Sequence, residues 1–399
     1  MSHRVLVTGL GIVSGIGNNV GETVDSILQQ KTGVGKLKYL HTIHSDELPG
    51  AEVKFSDEEL KERLNIPQDE VVTRTTLFSL LAAKEAISSA NLTITPKMRI
   101  GFISATTVGG MEKSELYYFD FLESEKHKEF IEVHDCGEGT EKVADLLGIK
   151  SFVTTISTAC SSAANAIMLG ARLIKHNKLD CLIVGGSECL TKFHLNGFNS
   201  LLILDKNQCK PFDNERAGIN LGEGAAYLII ESEKNAKERG AKIRCELTGY
   251  GNACDAFHQT ASSPEGIGAT LAMKQALDTS GLSASEIDYI NAHGTGTPNN
   301  DSSEGAAIET VFKGSIPPVS STKSFTGHTT SAAGGIEAVI SILMMEENMI
   351  PPNLNFKNQM EELSFSPVKE LVKNVELKHV LTNSFGFGGN NTSLIFSKA

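Results

Sequence analysis

Two stretches of this 399-residue chain are apolar on nearly every side of a helix, and each starts just after a chemically reactive side chain. Cys160 to Ile174 and His328 to Met344 both open on small residues, then place Ile, Val, Leu and Met around most of the helical surface. A helix without a polar face has to be enclosed by other layers. The chain must therefore build a body thick enough to hold two helices at its centre. The echo extends further, because Ala225-Ala226-Tyr227-Leu228-Ile229-Ile230-Glu231 resembles Thr392-Ser393-Leu394-Ile395-Phe396-Ser397. We read two related halves, residues 1–245 and 246–399, meeting near residue 245.

Between these markers strands and helices alternate without a proline-rich linker, a low-complexity block or a long charge run. That pattern predicts one compact α/β body, long enough to bury more than one core's worth of side chains. Buried strands are expected over 100–104, 151–156, 180–184, 225–230, 287–290 and 393–396. Helices are expected over 75–90, 161–175, 266–280 and 331–346. Met1-Ser2-His3-Arg4 followed by Val5-Leu6-Val7-Thr8-Gly9 faintly imitates a signal peptide, but glycines interrupt it and no cleavage site follows, so it reads as the first strand. Gly9, Gly11 and Gly15 imitate a dinucleotide fingerprint with the wrong spacing: Ser14 stands where the third glycine belongs. A tight turn after a buried strand is the expectation there.

A formal charge of −12 excludes a general nucleic-acid surface and a polybasic membrane patch, leaving room only for a local basic rim facing an acidic partner. No stretch reaches the roughly twenty consecutive apolar residues that cross a bilayer. The seven cysteines are odd in number and show neither a C-x-x-C pair nor zinc-ligand spacing, so no metal site is expected. Their pattern fits a reduced cytoplasmic compartment.

Cys160 stands where the β-branched run Thr154-Thr155-Ile156 gives way to the first buried helix. Unpaired N–H groups at a helix start favour thiolate over thiol, which makes Cys160 a candidate nucleophile. Taken alone, a free cysteine is more often a small core residue. His293, in Asn291-Ala292-His293-Gly294-Thr295-Gly296-Thr297, follows a predicted strand, and His328 immediately precedes the second buried helix. Either histidine alone is more often structural. Together with Cys160 they describe chemistry. A helix N-terminus disfavours an imidazolium, so His328 would stay neutral and donate one N–H to a developing enolate, with His293 as a second donor. Lys323 and Glu337 are placed to form a supporting ion pair, and Asp301 and Glu304 to fix the turn after His293. Ordinary scaffold charges account for those four equally well.

The motifs Thr158-Ala159-Cys160-Ser161-Ser162, Asn291 to Thr297, Lys323-Ser324-Phe325-Thr326-Gly327-His328 and Asn383-Ser384-Phe385-Gly386-Phe387-Gly388-Gly389-Asn390 carry a family resemblance. Asp213, Glu215, Arg216, Gly218, Gly222, Glu223 and Gly224 add a further block. In this order they resemble, over nearly the whole chain, the elongating β-ketoacyl-acyl-carrier-protein synthases, thiolase-fold condensing enzymes of fatty acid and type II polyketide synthesis. The resemblance implies a layered α-β-α-β-α body and a cofactor-free decarboxylative condensation. Cys160 would take an acyl chain from acyl carrier protein, with His293, His328 and Lys323 completing the catalytic set. The N–H groups of Cys160 and Phe387 would form an oxyanion hole, and Phe387 would gate the acyl pocket. Glu337, Asp301, Glu304 and Thr295 would support the site, and Val108 and Phe198 would line the acyl tunnel. The implied partners are acyl- and malonyl-loaded carrier protein and a second copy in a homodimer.

Neighbouring activities differ at single residues. A thiolase carries a second cysteine in its C-terminal glycine loop, where Gly386-Phe387-Gly388-Gly389 has none. Initiating ketosynthases use Cys, His and Asn, whereas this chain supplies a second histidine. A non-catalytic chain-length-factor-like partner, the alternative reading, would lack the nucleophile. Leu202 replaces an arginine that many bacterial members use to grip carrier protein. Lys206, Lys210, Lys61 and Arg63 are possible replacement cations, although a solvated face explains each of them better. Asn299, Asn300, Asn390 and Asn391 also depart from the housekeeping pattern and leave a specialised polyene or polyketide pathway open.

Overall fold

The computed structural model describes residues 4–399; Met1 to His3, the start of the signal-like segment, lie outside the described residues. The main sheet is built from β1 (Val5–Ser14), β2 (Ile100–Ala105), β3 (Phe152–Ile156), β4 (Cys181–Glu188), β5 (Gly224–Ser232), β6 (Cys245–Cys254), β7 (Tyr289–Asn291), β8 (Val319–Ser320), β9 (His379–Phe385) and β10 (Asn390–Ser397). Their spatial order is β3-β2-β4-β5-β1-β6-β10-β9-β7-β8. The first five positions repeat in reverse as the last five. On one side β3, β2 and β4 run parallel and β5 and β1 antiparallel; on the other β8, β7 and β9 run parallel and β10 and β6 antiparallel. The two sets join through β1 and β6, which pair antiparallel at Leu6 with Glu246 and Val7 with Cys245.

Four helices explain the depth of the body: α1 (Arg74–Ser89), α2 (Ser162–Lys175), α3 (Ile267–Ser280) and α4 (Ala333–Glu347). Helices α2 and α4 pack on each other and on strands of both halves, with Ala163, Ile167, Ile336 and Val339 wholly enclosed. α1 covers the outer face of β1 and β5, and α3 covers β6 and β10. The layers run helix, sheet, helix, sheet, helix, the thiolase-like arrangement. No helix among the described residues is long and apolar enough to cross a membrane.

The expected turn falls at Gly15, where Ser14 and Gly17 exchange backbone hydrogen bonds at 2.8 and 3.2 Å, but Gly9 and Gly11 take no part in it. They lie inside β1, where a Cβ at Gly11 would stand 2.0 Å from the Ala82 carbonyl oxygen and one at Gly9 2.3 Å from that of Ala86. β6 repeats the device: a Cβ at Gly249 would stand 2.3 Å from the Ala276 oxygen and one at Gly251 2.2 Å from the Ala272 oxygen. Each glycine pair lets a helix rest directly on strand backbone. Because the obstacle is backbone and cannot rotate away, Gly11→Ala should cost about 3 kcal/mol, the upper end of ordinary overpacking, read as a fall in the urea midpoint.

Strands β6, β8 and β9 carry no sequence expectation. β6 alternates buried and half-buried positions and contains two glycines, which weakens its signature. The fourth helix begins at Ala333 rather than 331, because Thr330–Ala332 forms a 3-10 turn first.

Candidate active site

After β3 the chain makes a strained turn. Ala159 sits at φ +53°, a conformation that L side chains rarely adopt. The Ser162 hydroxyl holds the turn by accepting from the Thr158 N–H at 2.8 Å. This turn presents Cys160 two residues before α2, with the residue 6% exposed. Burial pushes the thiol up to about 11, opposed by the Lys323 ammonium and by the Phe387 N–H that points at the sulfur. The expected thiolate is thus corrected to a protonated thiol, since the helix end does not outweigh the desolvation of a buried sulfur anion.

Cys160 Sγ lies 3.0 Å from His328 Nε2. The rings of His293 and His328 meet edge to face at 5.3 Å, and one nitrogen of each, with the sulfur, falls within 4.8 Å of the other two. Both imidazoles are held well below the usual histidine range, first by burial and then by the Lys323 ammonium. Neutrality of His328 was expected from a helix start. The helix begins five residues later, and burial produces the neutrality instead.

Lys323, fully enclosed, spends its three protons on the His293 carbonyl oxygen at 2.6 Å, on His293 Nδ1 at 3.1 Å and on Glu337 Oε1. An ammonium can only donate, so Nδ1 of His293 must accept and its proton must sit on Nε2. Burial raises the Glu337 carboxyl while Lys323 pulls it down. Glu304 accepts from the N–H groups of His293 at 2.8 Å and Gly294 at 2.7 Å. Asp301 accepts from the N–H groups of Thr295 at 3.0 Å, Gly296 at 3.1 Å and Phe212 at 2.7 Å. Burial pushes Glu304 up to about 7 and raises Asp301, against those same N–H groups.

Cys160, His293 and His328 face a cavity of about 300 Å³ whose walls also include Thr295, Phe198 and Phe387, with Lys323, Glu337, Glu304 and Asp301 set behind it. Phe387 stacks on Phe198 with ring centroids 5.6 Å apart and planes 21° apart. Val108, expected in the acyl tunnel, does not reach this cavity. It is 2% exposed in the outer core of the first half, with its N–H turned toward Glu188. Leu202 rims the mouth at φ +58° and 87% exposed. Asn299 and Asn300 also line the cavity, and Asn299 accepts from the Ser262 N–H at 2.8 Å. The four cations considered as replacements are all engaged. Lys206 pairs with Glu47, Lys210 with Glu215, Lys61 binds the carbonyls of Gln68 and Glu70, and Arg63 stacks on Phe55.

Sequence reasoning missed Glu188. Wholly buried, it accepts from Thr106 Oγ1 at 2.5 Å, the Thr107 N–H at 2.9 Å and Thr330 Oγ1 at 3.0 Å. It therefore ties the loop after β2 to Thr330, a β-branched residue held at φ +44° two positions after His328. The available signal was an acidic residue closing an otherwise apolar strand.

A neutral thiol beside a neutral imidazole makes a kinetic prediction. Alkylation of Cys160 in the substrate-free protein should rise roughly tenfold per pH unit between about pH 7 and 9, following the thiolate fraction. A flat profile, measured by peptide mass spectrometry, would mean a preformed thiolate–imidazolium pair.

A sulfur nucleophile beside two neutral N–H donors, in a layered thiolase-like body, defines the class of the condensing enzymes. Comparison with known proteins makes this particular. Residues 2–236 match the family model for the N-terminal domain of β-ketoacyl synthases, and residues 244–357 the model for the C-terminal domain. A curated relative, 3-oxoacyl-[acyl-carrier-protein] synthase 2 of Staphylococcus aureus, is 33% identical, covering 100% of this chain and 99% of that protein. The protein of the same name from Coxiella burnetii is 35% identical, with 99% of each covered. Among solved structures, the ishigamide ketosynthase/chain length factor superposes with a TM-score of 0.94 at 29% identity, both chains covered in full. A type II polyketide acyl-carrier protein in complex with its ketosynthase, AntDE:AntF, gives 0.90 at 28% identity, again over 100% of both chains. The chain belongs to the β-ketoacyl synthase family.

Proposed function

We propose that this protein extends an acyl chain by decarboxylative Claisen condensation with malonyl-carrier protein, in fatty acid or type II polyketide synthesis. The observation that carries the reading is the meeting of Cys160 Sγ with nitrogens of two neutral histidines, within 4.8 Å of one another. In the first half-reaction His328 keeps its Nε2–H, and the Cys160 sulfur gives up its proton as it attacks the carrier thioester. The carrier thiolate leaves and recovers that proton, and an acyl-Cys160 thioester remains. The N–H groups of Cys160 and Phe387 receive the oxyanion. Malonyl-carrier then loses CO2. The Nε2–H of His293 and that of His328 hold the resulting enolate oxygen, and the enolate carbon attacks the acyl carbonyl. The Cys160 thiolate departs and is reprotonated, releasing a β-ketoacyl-carrier two carbons longer.

Intact-protein mass spectrometry after exposure to a panel of acyl-carriers tests this reading. One acyl mass should appear on the protein and map to Cys160. No adduct with any chain, or one mapped elsewhere, would overturn it.

Among the described residues the outer edge of β3 has no partner strand, and its five residues are only half-buried. The Met111–Ser124 helix exposes Leu116 at 53%, Phe119 at 72% and Leu122 at 59%. Both features support pairing with a second copy. Size exclusion of the protein expressed alone should give a dimer. A monomer that dimerises only with a chain-length-factor-like relative would favour the heterodimer suggested by the ishigamide structure's name.

A further inference from the structure

Three asparagines meet behind the nucleophile, in positions that the catalytic steps do not use. Asn165 is the fourth residue of α2, Asn252 lies on β6, and Asn390 opens β10 directly after the Phe387 loop. Asn390 Oδ1 accepts from Ser161 Oγ at 2.8 Å, Asn165 Nδ2 at 2.9 Å and Asn252 Nδ2 at 2.8 Å. Asn165 Oδ1 accepts from Asn252 Nδ2 at 3.1 Å and from Thr392 Oγ1 at 2.9 Å. Its own Nδ2 reaches Thr158 Oγ1 at 2.9 Å. One oxygen thus joins the cysteine turn, the first turn of α2, strand β6 and the root of the glycine loop.

Such a cluster is costly unless every member is bonded. Asn165 is 8% exposed and stands among Ala163, Ala164 and Ala166, where the helix otherwise packs in the central core. An apolar residue would serve packing better. Hydrogen bonds in a shared low-dielectric network strengthen one another and are lost together. On the loop side, the Gly386 N–H donates to the Asn390 carbonyl at 3.0 Å, so the Asn390 backbone closes the turn that carries Phe387. With the network intact, Phe387 stacks on Phe198 and its N–H faces the Cys160 sulfur.

We propose that Asn390, held by Asn165 and Asn252, is a latch that keeps the Phe387 gate closed over Cys160 until an acyl chain displaces it. These are positioning residues, acting through Phe387 and the cysteine turn. The proposal rests on Phe387 acting as the gate. An incoming acyl chain must release the three donors on one oxygen together, so entry is all-or-none and small reagents reach the sulfur slowly.

The test measures iodoacetamide alkylation of Cys160, resolved at the peptide level in the substrate-free protein, alongside kcat and KM for condensation. Asn390→Leu and Asn252→Leu should each alkylate Cys160 about tenfold faster than the native protein and lower kcat more than they raise KM. Asn390→Asp keeps the acceptor oxygen and the side-chain shape, and should restore native slow alkylation. Its added charge would slow thiolate formation rather than speed it. Folded Asn390→Leu protein that alkylates at the native rate overturns the latch. Equal acceleration in Asn390→Asp and Asn390→Leu also overturns it, because the oxygen would then be irrelevant. Should Asn390→Leu not fold, the rate in Asn252→Leu decides by the same criterion. Alkylation needs no condensing activity. A native protein that never forms acyl-Cys160 therefore counts against the proposed reaction while leaving the latch result readable.

Discussion

Cys160→Ala abolishes condensation and leaves part of the malonyl-carrier decarboxylation intact. The two reactions separate because they draw on different atoms. Chain transfer needs the sulfur as attacking and leaving group, and among the described residues no other thiol lines the cavity. Enolate formation needs only donors for one oxygen, and His293 and His328 keep theirs when the sulfur is gone. The expected result is no detectable β-ketoacyl product, with release of CO2 from malonyl-carrier still measurable above the uncatalysed rate. Both imidazoles sit well below their usual range, so this residual reaction should stay level from about pH 6.5 to 8.5. A folded Cys160→Ala protein without decarboxylation would sink the division of labour between sulfur and histidines.

Lys323→Met produces the second large effect, on stability and chemistry at once. Removing the ammonium strands the Glu337 carboxyl in a fully enclosed site, and breaking a buried pair this way costs about 3–5 kcal/mol. It also frees His293 Nδ1 from the donor that fixes its tautomer, so the Nε2–H is no longer guaranteed to face the cavity. Loss of one preorganised donor lowers kcat about 10²- to 10³-fold. The double variant Lys323→Met with Glu337→Leu separates the two effects. An apolar pair of similar size replaces a buried ion pair at little cost, so thermal stability should recover while activity stays low. Recovery of both together would mean that Lys323 serves the fold alone.

The reactive residues were legible because catalysis needs particular chemistries at element ends: a thiol after a strand, and histidines before small residues. The apolar helices around α2 and α4 were legible because no polar face can hide. The protonation state of Cys160 was not legible. A helix start argues for thiolate, and only the depth of burial decides that desolvation wins. Gly9 and Gly11 were read as a turn because glycine in sequence does not say whether it bends the chain or admits a neighbour. Their contact with Ala82 and Ala86 exists only once α1 lies on β1. Glu188, Asn165 and Asn252 were passed over for the same reason, and Asn390 stood out only as a departure from the housekeeping pattern, since their partners lie far along the chain.

The sequence by itself determined the enclosed central helices and singled out the sulfur and imidazole groups of the proposed site, because periodicity and residue chemistry are local properties. Only the tertiary structure decided that burial disfavours the charged forms of Cys160, His293 and His328, that Lys323 sets the His293 tautomer, and that Val108 packs in the outer core. Those follow from distance and desolvation, which arise when residues between 30 and 168 positions apart come to share one enclosed space.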